Sequence, residues 1–364
     1  MRLPRARPPP PPPLAALAAA AAATLLLAAA AAAASAGPAP APIAISGARC
    51  SCDGAVTDCS RRHKSVVRPA ELCPNSTVID LQGNNLSAFP EGLGAFRVIV
   101  ASENRLSRLP AAPAQLGGAT RVLDLARNAL ANSSRELSGL AQLRVLRLQH
   151  NFLSALDFLP ARPACALYVL DAANNSVSSL EGPVQDCTRL VFLNLAQNQL
   201  ATVPSNAFYK LRKLKDLFLD SNMIESISEN AFRGMRSLRR LSLARNLLTW
   251  LPDGLLRGRT QLQRLDVSGN ALSALPPTLL DACARLEVLD LHANHLQALP
   301  PRLFLGLRAL RELQVWKNRL TEVPDFIDNC PRLEVANFDS NNLTEASQKD
   351  QRALLERILR RERH

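Results

Sequence analysis

Aromatic side chains are scarce: two Trp, two Tyr and eleven Phe make up 4% of 364 residues, although 47% of the chain is hydrophobic. One large globular core would draw much of its contact area from aromatics. Their shortage, with Leu and Ala supplying most apolar residues, favours many thin aliphatic layers. Histidine is equally sparse, and none of His63, His150, His292, His295 and His364 stands in an H-E-x-x-H or other ligand spacing. Neither a G-x-S-x-G elbow nor a phosphate-cradling glycine loop is present. The expectation is a protein that is not an enzyme and uses no cofactor and no metal. The cluster of His292 with Asp266 and Asp290 reads as a surface contact on a strand. An acidic column at Asp80, Asp124, Asp171, Asp266 and Asp290 is set aside as a calcium site, because adjacent positions rarely keep two carboxylates side by side.

Other absences bound the location and the partners. No run of Lys and Arg alternates with aromatics, so the net charge of +12 is not arranged for nucleic acid; acidic glycans or anionic proteins suit it better. After the N-terminal region no stretch approaches the roughly 20 apolar residues of a membrane span, and Arg360 to His364 form no lipid-anchor signal. The N-terminus has the layout of an export signal: Arg2, Arg5 and Arg7, an Ala/Leu-rich stretch from Leu14 to Ala34, and the small residues Ala34-Ser35-Ala36. Residues 1–36 are therefore expected to be a cleaved signal peptide and 37–49 a flexible linker. Loss of the three arginines lowers the net charge to about +9. The mature protein is expected to be soluble and secreted.

What the chain has in abundance is a repeat. The pattern L-x-L-x-x-N-x-L places Asn at 84, 104, 128, 151, 175, 198, 222, 246, 270, 294, 318 and 341, at intervals of 23 or 24 after a first interval of 20. In the copy from Leu214 to Ile227, Leu217 and Leu219 alternate as inward strand residues and Ile224 and Ile227 continue into the core. Asn230-Ala231-Phe232 with Met235 closes the next coil. One coil cannot bury its apolar face, so neighbours stack and their strands pair in parallel. Ala101 and Ala172 stand where a larger aliphatic is usual, which predicts thin layers there.

This pattern resembles the typical extracellular leucine-rich-repeat class over about residues 50–345. The resemblance implies an α/β solenoid, a leucine-rich-repeat horseshoe of about twelve repeats with a concave parallel β-sheet. It also implies an inward structural role for each ladder Asn, an N-terminal disulfide cap over 50–77 and repeats over 78–345. Cys50, Cys52, Cys59 and Cys73 match the cysteine cap and imply two disulfides. The family's usual further Cys before the C-x-C pair is missing, and the connectivity stays open. A zinc site is disfavoured, because the spacing is not C-x-x-C. Cys165 and Cys187 occupy nearly equivalent places in layers about 5 Å apart, within disulfide reach, and bridged and unbridged readings stand equally. Cys283 and Cys330 read as small core residues. The family's second cysteine cap is absent; instead Ser347-Gln348-Lys349-Asp350 resembles a helix-capping box, and Ala353, Leu354, Leu355, Ile358 and Leu359 at helical spacing predict a C-terminal helical cap over 346–364.

Binding in such solenoids uses the strand positions six, four and two residues before the ladder Asn. There the central and later copies place Asp216, Phe218, Asp220, Arg240, Arg264, Asp266, Asp290, His292 and Trp316. Phe218 and Trp316 are expected to face solvent and anchor a partner; an earlier band of Val98, Val100, Val122, Val145 and Val169 is more apolar. Sequons at Asn75, Asn85, Asn132, Asn174 and Asn342 leave the coils from Asn198 to Asn318 free of glycans. The expected function is a secreted protein-binding module for a matrix protein, growth factor or cell-surface receptor ectodomain. Alternatives are a non-catalytic carrier subunit of a secreted enzyme and an innate-immune recognition protein.

Overall fold

The computed structural model describes residues 49–108, 116–131, 137, 140–159, 165–325 and 329–361. The expected signal segment, all of the linker but Arg49, and the sequon at Asn132 lie outside them.

The repeat period is realised as a stack of short strands. A fourteen-stranded sheet begins with an antiparallel cap hairpin, Ser51–Asp53 with Val56–Asp58, and every later strand pairs in parallel with the one before it. Each of those later strands is three residues long and ends four residues before a ladder Asn. The register carries equivalent positions side by side from coil to coil: Asp216 pairs with Arg240, and Arg240 with Arg264. Two further strands, Thr202–Val203 and Ser226–Ile227, pair with each other in a separate small sheet.

Inside, the layers interlock as the pattern requires. Leu217, Leu219, Ile224, Ile227, Phe232 and Met235 are all buried, and Phe208 and Phe232 of neighbouring coils stack with centroids 6.2 Å apart. Ala101 and Ala172 keep their register in the core at 0% exposure. Each chain turn leaves backbone groups facing inward, where water cannot reach them. The ladder Asn satisfies three at once. Asn222 Nδ2 donates to the carbonyls of Leu195 and Leu219 at 2.9 and 3.0 Å, and its Oδ1 accepts the Leu200 N–H at 3.1 Å. One residue earlier the chain adopts a left-handed conformation in copy after copy, with φ of 54° at Arg245 and 64° at Gly269. The absence of a Cβ suits Gly269 to this bend; elsewhere the paired Asn ladder holds other residues in it.

Both ends of the stack are closed. Cys50 is bonded to Cys59 and Cys52 to Cys73. Beneath them Lys64, itself buried, pairs with Glu71 at 2.5 Å, and that hydrogen bond holds the Glu71 carboxyl below its ordinary range. A third disulfide joins Cys165 to Cys187 across adjacent coils, while Cys283 and Cys330 lie buried in the core. At the far end a helix, Glu345–Arg361, lays Leu354 and Ile358 on the last coil, where both join the common core. It starts earlier than the expected capping box. Thr344 is the capping residue, its Oγ1 accepting the Ser347 N–H at 3.3 Å, whereas Ser347 is buried within the first turn. The chain reaches its first free helical N–H groups at Thr344, and a hydroxyl is already there to meet them.

Candidate binding surface

Three columns of side chains run along the sheet, as the six, four and two spacing requires. The middle column carries a recurrent turn. Asp80, Asp124, Asp171, Asn194, Asp266, Asp290 and Asn337 each use Oδ1 to accept the N–H two residues on, at 2.8 to 3.2 Å. A short carboxylate or amide closing its own backbone is a common local bond. It gives the acidic column a structural reason. Burial is the main cause that raises the carboxyls of Asp80 and Asp266, and it raises that of Asp171 to about 6. Among the described residues no group of three or more His, Cys, Asp or Glu is arranged to hold a metal ion.

The early half of this face is more closed than a solvent-facing reading allows. Val122, Val145, Val169, Phe192, Phe218 and Ala196 form an apolar cluster of their own, separate from the main core, with Val98 and Ala173 packed against it. Phe218 was expected to be exposed and is buried, at 7% exposure. Its ring meets that of Phe192 with centroids 5.5 Å apart and planes tilted by 50°. The parallel register brings Asn194 beside Phe218 and Phe192 one column over, so each large ring covers the other. Asp220 beside it is also largely enclosed: its Oδ1 is buried without a hydrogen-bond partner, and burial raises its carboxyl.

The later half holds a polar and aromatic constellation on rigid strands. Arg240 Nε and Nη2 fork onto the two oxygens of Asp216 at 2.5 and 2.9 Å, and that hydrogen bond holds the guanidinium above its usual range. Arg264, next in register, is exposed. Asp266 and Asp290 stand side by side in register, and after burial the charge of Asp290 is the next cause that raises Asp266. Asp290 Oδ1 lies 2.6 Å from His292 Nδ1. The His292 ring stacks on Trp316, with centroids 4.3 Å apart and planes within 4°, and Lys317 Nζ lies 5.0 Å from the same indole. Trp316 is thus half-buried with its plane fixed. Aromatics held this way lose little freedom when a partner covers them.

Sequence spacing passed over some features. Arg144 packs over Tyr168 at 5.6 Å on the strand-entry edge, and Met223, Leu247 and Trp250 are each more than half exposed outside the sheet. The first sits in the seventh position before the ladder Asn, which a strict alternation assigns inward. The apolar three lie after the ladder Asn, where the repeat pattern places no rule. Of the described sequons, Asn75, Asn85, Asn174 and Asn342 are exposed, and Asn174 Nδ2 lies 2.8 Å from His150 Nδ1.

Fold and surface together define a class, the parallel-strand solenoid that presents side chains on a concave sheet. Residues 188–248, 236–296 and 260–320 match the family model described as Leucine rich repeat, and the other described coils are built alike, so the fold is a leucine-rich-repeat solenoid with a disulfide-bonded N-terminal cap. Among solved structures it is similar to a leucine-rich-repeat protein of Leptospira interrogans, with TM-score 0.70 and 29% identity over 78% of this chain and 71% of that one. It is also similar to a chain of the octameric complex of Latrophilin 3, Unc5D and FLRT2 (LRR), with TM-score 0.64 and 27% identity over 84% of this chain and 88% of that one. The TLR13 chain of a complex with ssRNA13 shares the fold, with TM-score 0.62 and 22% identity over 80% of this chain and 44% of that one. No curated protein matches the sequence as a relative.

Proposed function

We propose that this protein is secreted and binds an extracellular protein or receptor ectodomain on the concave sheet between the coils that end at Asn222 and Asn318. The observation that carries the reading is the fixed constellation of Asp266, Asp290, His292 and Trp316, with Arg264 exposed beside it and the Arg240–Asp216 fork next in register. Planar aromatics and arginines on rigid elements, with charges of both signs in fixed positions, are the usual anchors of specific interfaces. Phe218 supports the floor of this surface and Asp220 its edge. Exposed sequons on either side and none among these coils agree with a surface left open for a large partner. The similar chain in the Latrophilin 3, Unc5D and FLRT2 complex and the three disulfides, which persist in oxidising compartments, support the same reading.

A single substitution tests it. Asp266→Asn creates a sequon with Val267 and Ser268 and keeps the local turn, since Asn194 makes the same bond elsewhere. Proximity labelling and pull-down with the secreted protein identify partners; the glycosylated variant is expected to lose them by at least about 100-fold in affinity. The double variant with Ser268→Ala, which has the same Asn but takes no glycan, is expected to lose much less, namely what the Asp266 carboxylate alone contributes. Unchanged capture by the glycosylated form would sink the concave-face reading.

A further inference from the structure

Away from the sheet, the turns that precede the strands carry a feature that concave-face binding does not use. In the column 11 residues before the ladder Asn, neighbouring coils bury Leu211, Met235, Cys283 and Leu307; the coil ending at Asn270 places Arg259 there. Arg259 is buried all the same, at 8% exposure. Its Nη1 donates to the Phe232 carbonyl at 2.7 Å, and its Nε has no hydrogen-bond partner. Burial first, and the charge of Arg236 second, hold the guanidinium below its ordinary range. A cation buried with an idle donor is costly, and the neighbouring coils avoid that cost with an apolar side chain.

What Arg259 faces gives the charge a purpose. It lines a cleft of about 520 Å³ across three successive coils, together with the exposed Arg212, Arg233, Arg236 and Arg257. The only carboxylate in the lining is Glu229. Gly254 makes room for it: a Cβ there would lie 2.1 Å from Glu229 Oε1. Among the described residues none of the five arginines is within ion-pair distance of a carboxylate. The cleft thus holds an excess of forked donors around a single carboxylate that none of them pairs with.

We propose that this cleft binds the sulfate groups of a sulfated glycan chain, with Arg233, Arg236 and Arg257 as outer contacts and Arg259 as the buried donor at its floor. Guanidinium forks match the oxygens of a tetrahedral anion in pairs, and the volume suits a sugar unit with its sulfate more than a lone ion. Nucleic acid fits less well: Tyr209 is the only aromatic in the lining, where single-strand grooves stack successive bases on several. Choosing a glycan as the bearer of the anion rests on the secreted reading above; the site itself does not depend on the concave surface, which faces another way.

The test uses purified protein, so it is separate from whether cells export it. A heparin hexasaccharide is titrated calorimetrically at physiological salt against the wild type, against Arg233→Ala/Arg236→Ala/Arg257→Ala, and against Arg97→Ala/Arg121→Ala/Arg239→Ala, which removes equal charge from the strand-entry edge. The cleft triple is expected to lose at least about tenfold in affinity and the edge triple less than about threefold. Arg259→Met, which restores the side chain that Met235 places in the same column, is expected to fold with unchanged or higher thermal stability and to bind more weakly. Equal losses from the two triples would mean diffuse attraction and overturn the site. So would undiminished binding of desulfated heparin, or a charge-matched single-stranded oligonucleotide that binds as tightly and loses affinity with the same cleft variants. Full binding by a folded Arg259→Met protein would overturn the assignment of the buried donor.

Discussion

Four residues before the ladder Asn, in seven of the twelve coils, Asp or Asn answers one demand for a turn. Asp171 Oδ1 accepts the Ala173 N–H at 3.2 Å, and in the next coil Asn194 Oδ1 accepts the Ala196 N–H at 3.1 Å. The amide does this without charge. The Asp171 carboxyl, buried to 8% exposure, is pushed up to about 6, chiefly by burial and against the pull of Arg147. A carboxyl raised in this way favours the fold when protonated. That contribution is complete below the ordinary carboxylate range and is lost as pH rises through about 6. Asp171→Asn is therefore expected to raise stability by about 2 kcal/mol at pH 7.5 and by nothing at pH 4. Arg147 keeps Asp124 as a partner, at 3.2 Å. Denaturant melts at the two pH values check it; an equal gain at both would show that the carboxyl is not held protonated. Spacing in the sequence located this column and its acids. It did not disclose the turn bond that explains them, nor the burial of Phe218, because a six, four, two pattern says which way a side chain points and not what its neighbours cover. Phe192, one column away, is what encloses Phe218.

At the level of elements, the coils were legible because their period is nearly constant and every coil repeats one solution. The ends were read less well, since each is a unique arrangement. The terminal helix was anticipated from the spacing of Leu354 and Ile358, but its start was displaced to Thr344, which no repeat pattern marks. Thr344 serves two purposes, because it also completes the sequon at Asn342. In protein made without glycans, Thr344→Ala is expected to cost about 1 kcal/mol of helix docking, and Thr344→Ser almost nothing. Circular dichroism melts read both. If the alanine variant were as stable as the serine variant, the hydroxyl cap would have no energetic role.

For the whole molecule, stability is expected to follow the stack one layer at a time, because each coil touches little beyond its two neighbours. The ladder Asn is the polar bond between layers. Asn222→Ala leaves the Leu200 N–H and the carbonyls of Leu195 and Leu219 without that partner. Its expected cost is about 3 kcal/mol, concentrated in three coils. Hydrogen exchange should quicken across roughly residues 195–246 and stay near wild type in the cap and the terminal helix. A uniform loss of protection along the chain would mean that the array behaves as one cooperative unit. The architecture at this scale was the part most plainly written in the sequence, since twelve aligned asparagines leave few other ways to pair the strands. The arginine cleft was not, because Arg259 departs from its column and a departure carries no period to find.

The two ends of the stack also differ in how they would carry a load. Covalent bonds tie Cys50 to Cys59, Cys52 to Cys73 and Cys165 to Cys187, all between residues 50 and 187. Among the described residues the other end is closed by one helix, whose Leu354 and Ile358 join the core without a disulfide. If tension were applied between the termini, for instance by a partner anchored in a moving surface, the coils would peel from the helix inward, and the stapled coils would be the last to give.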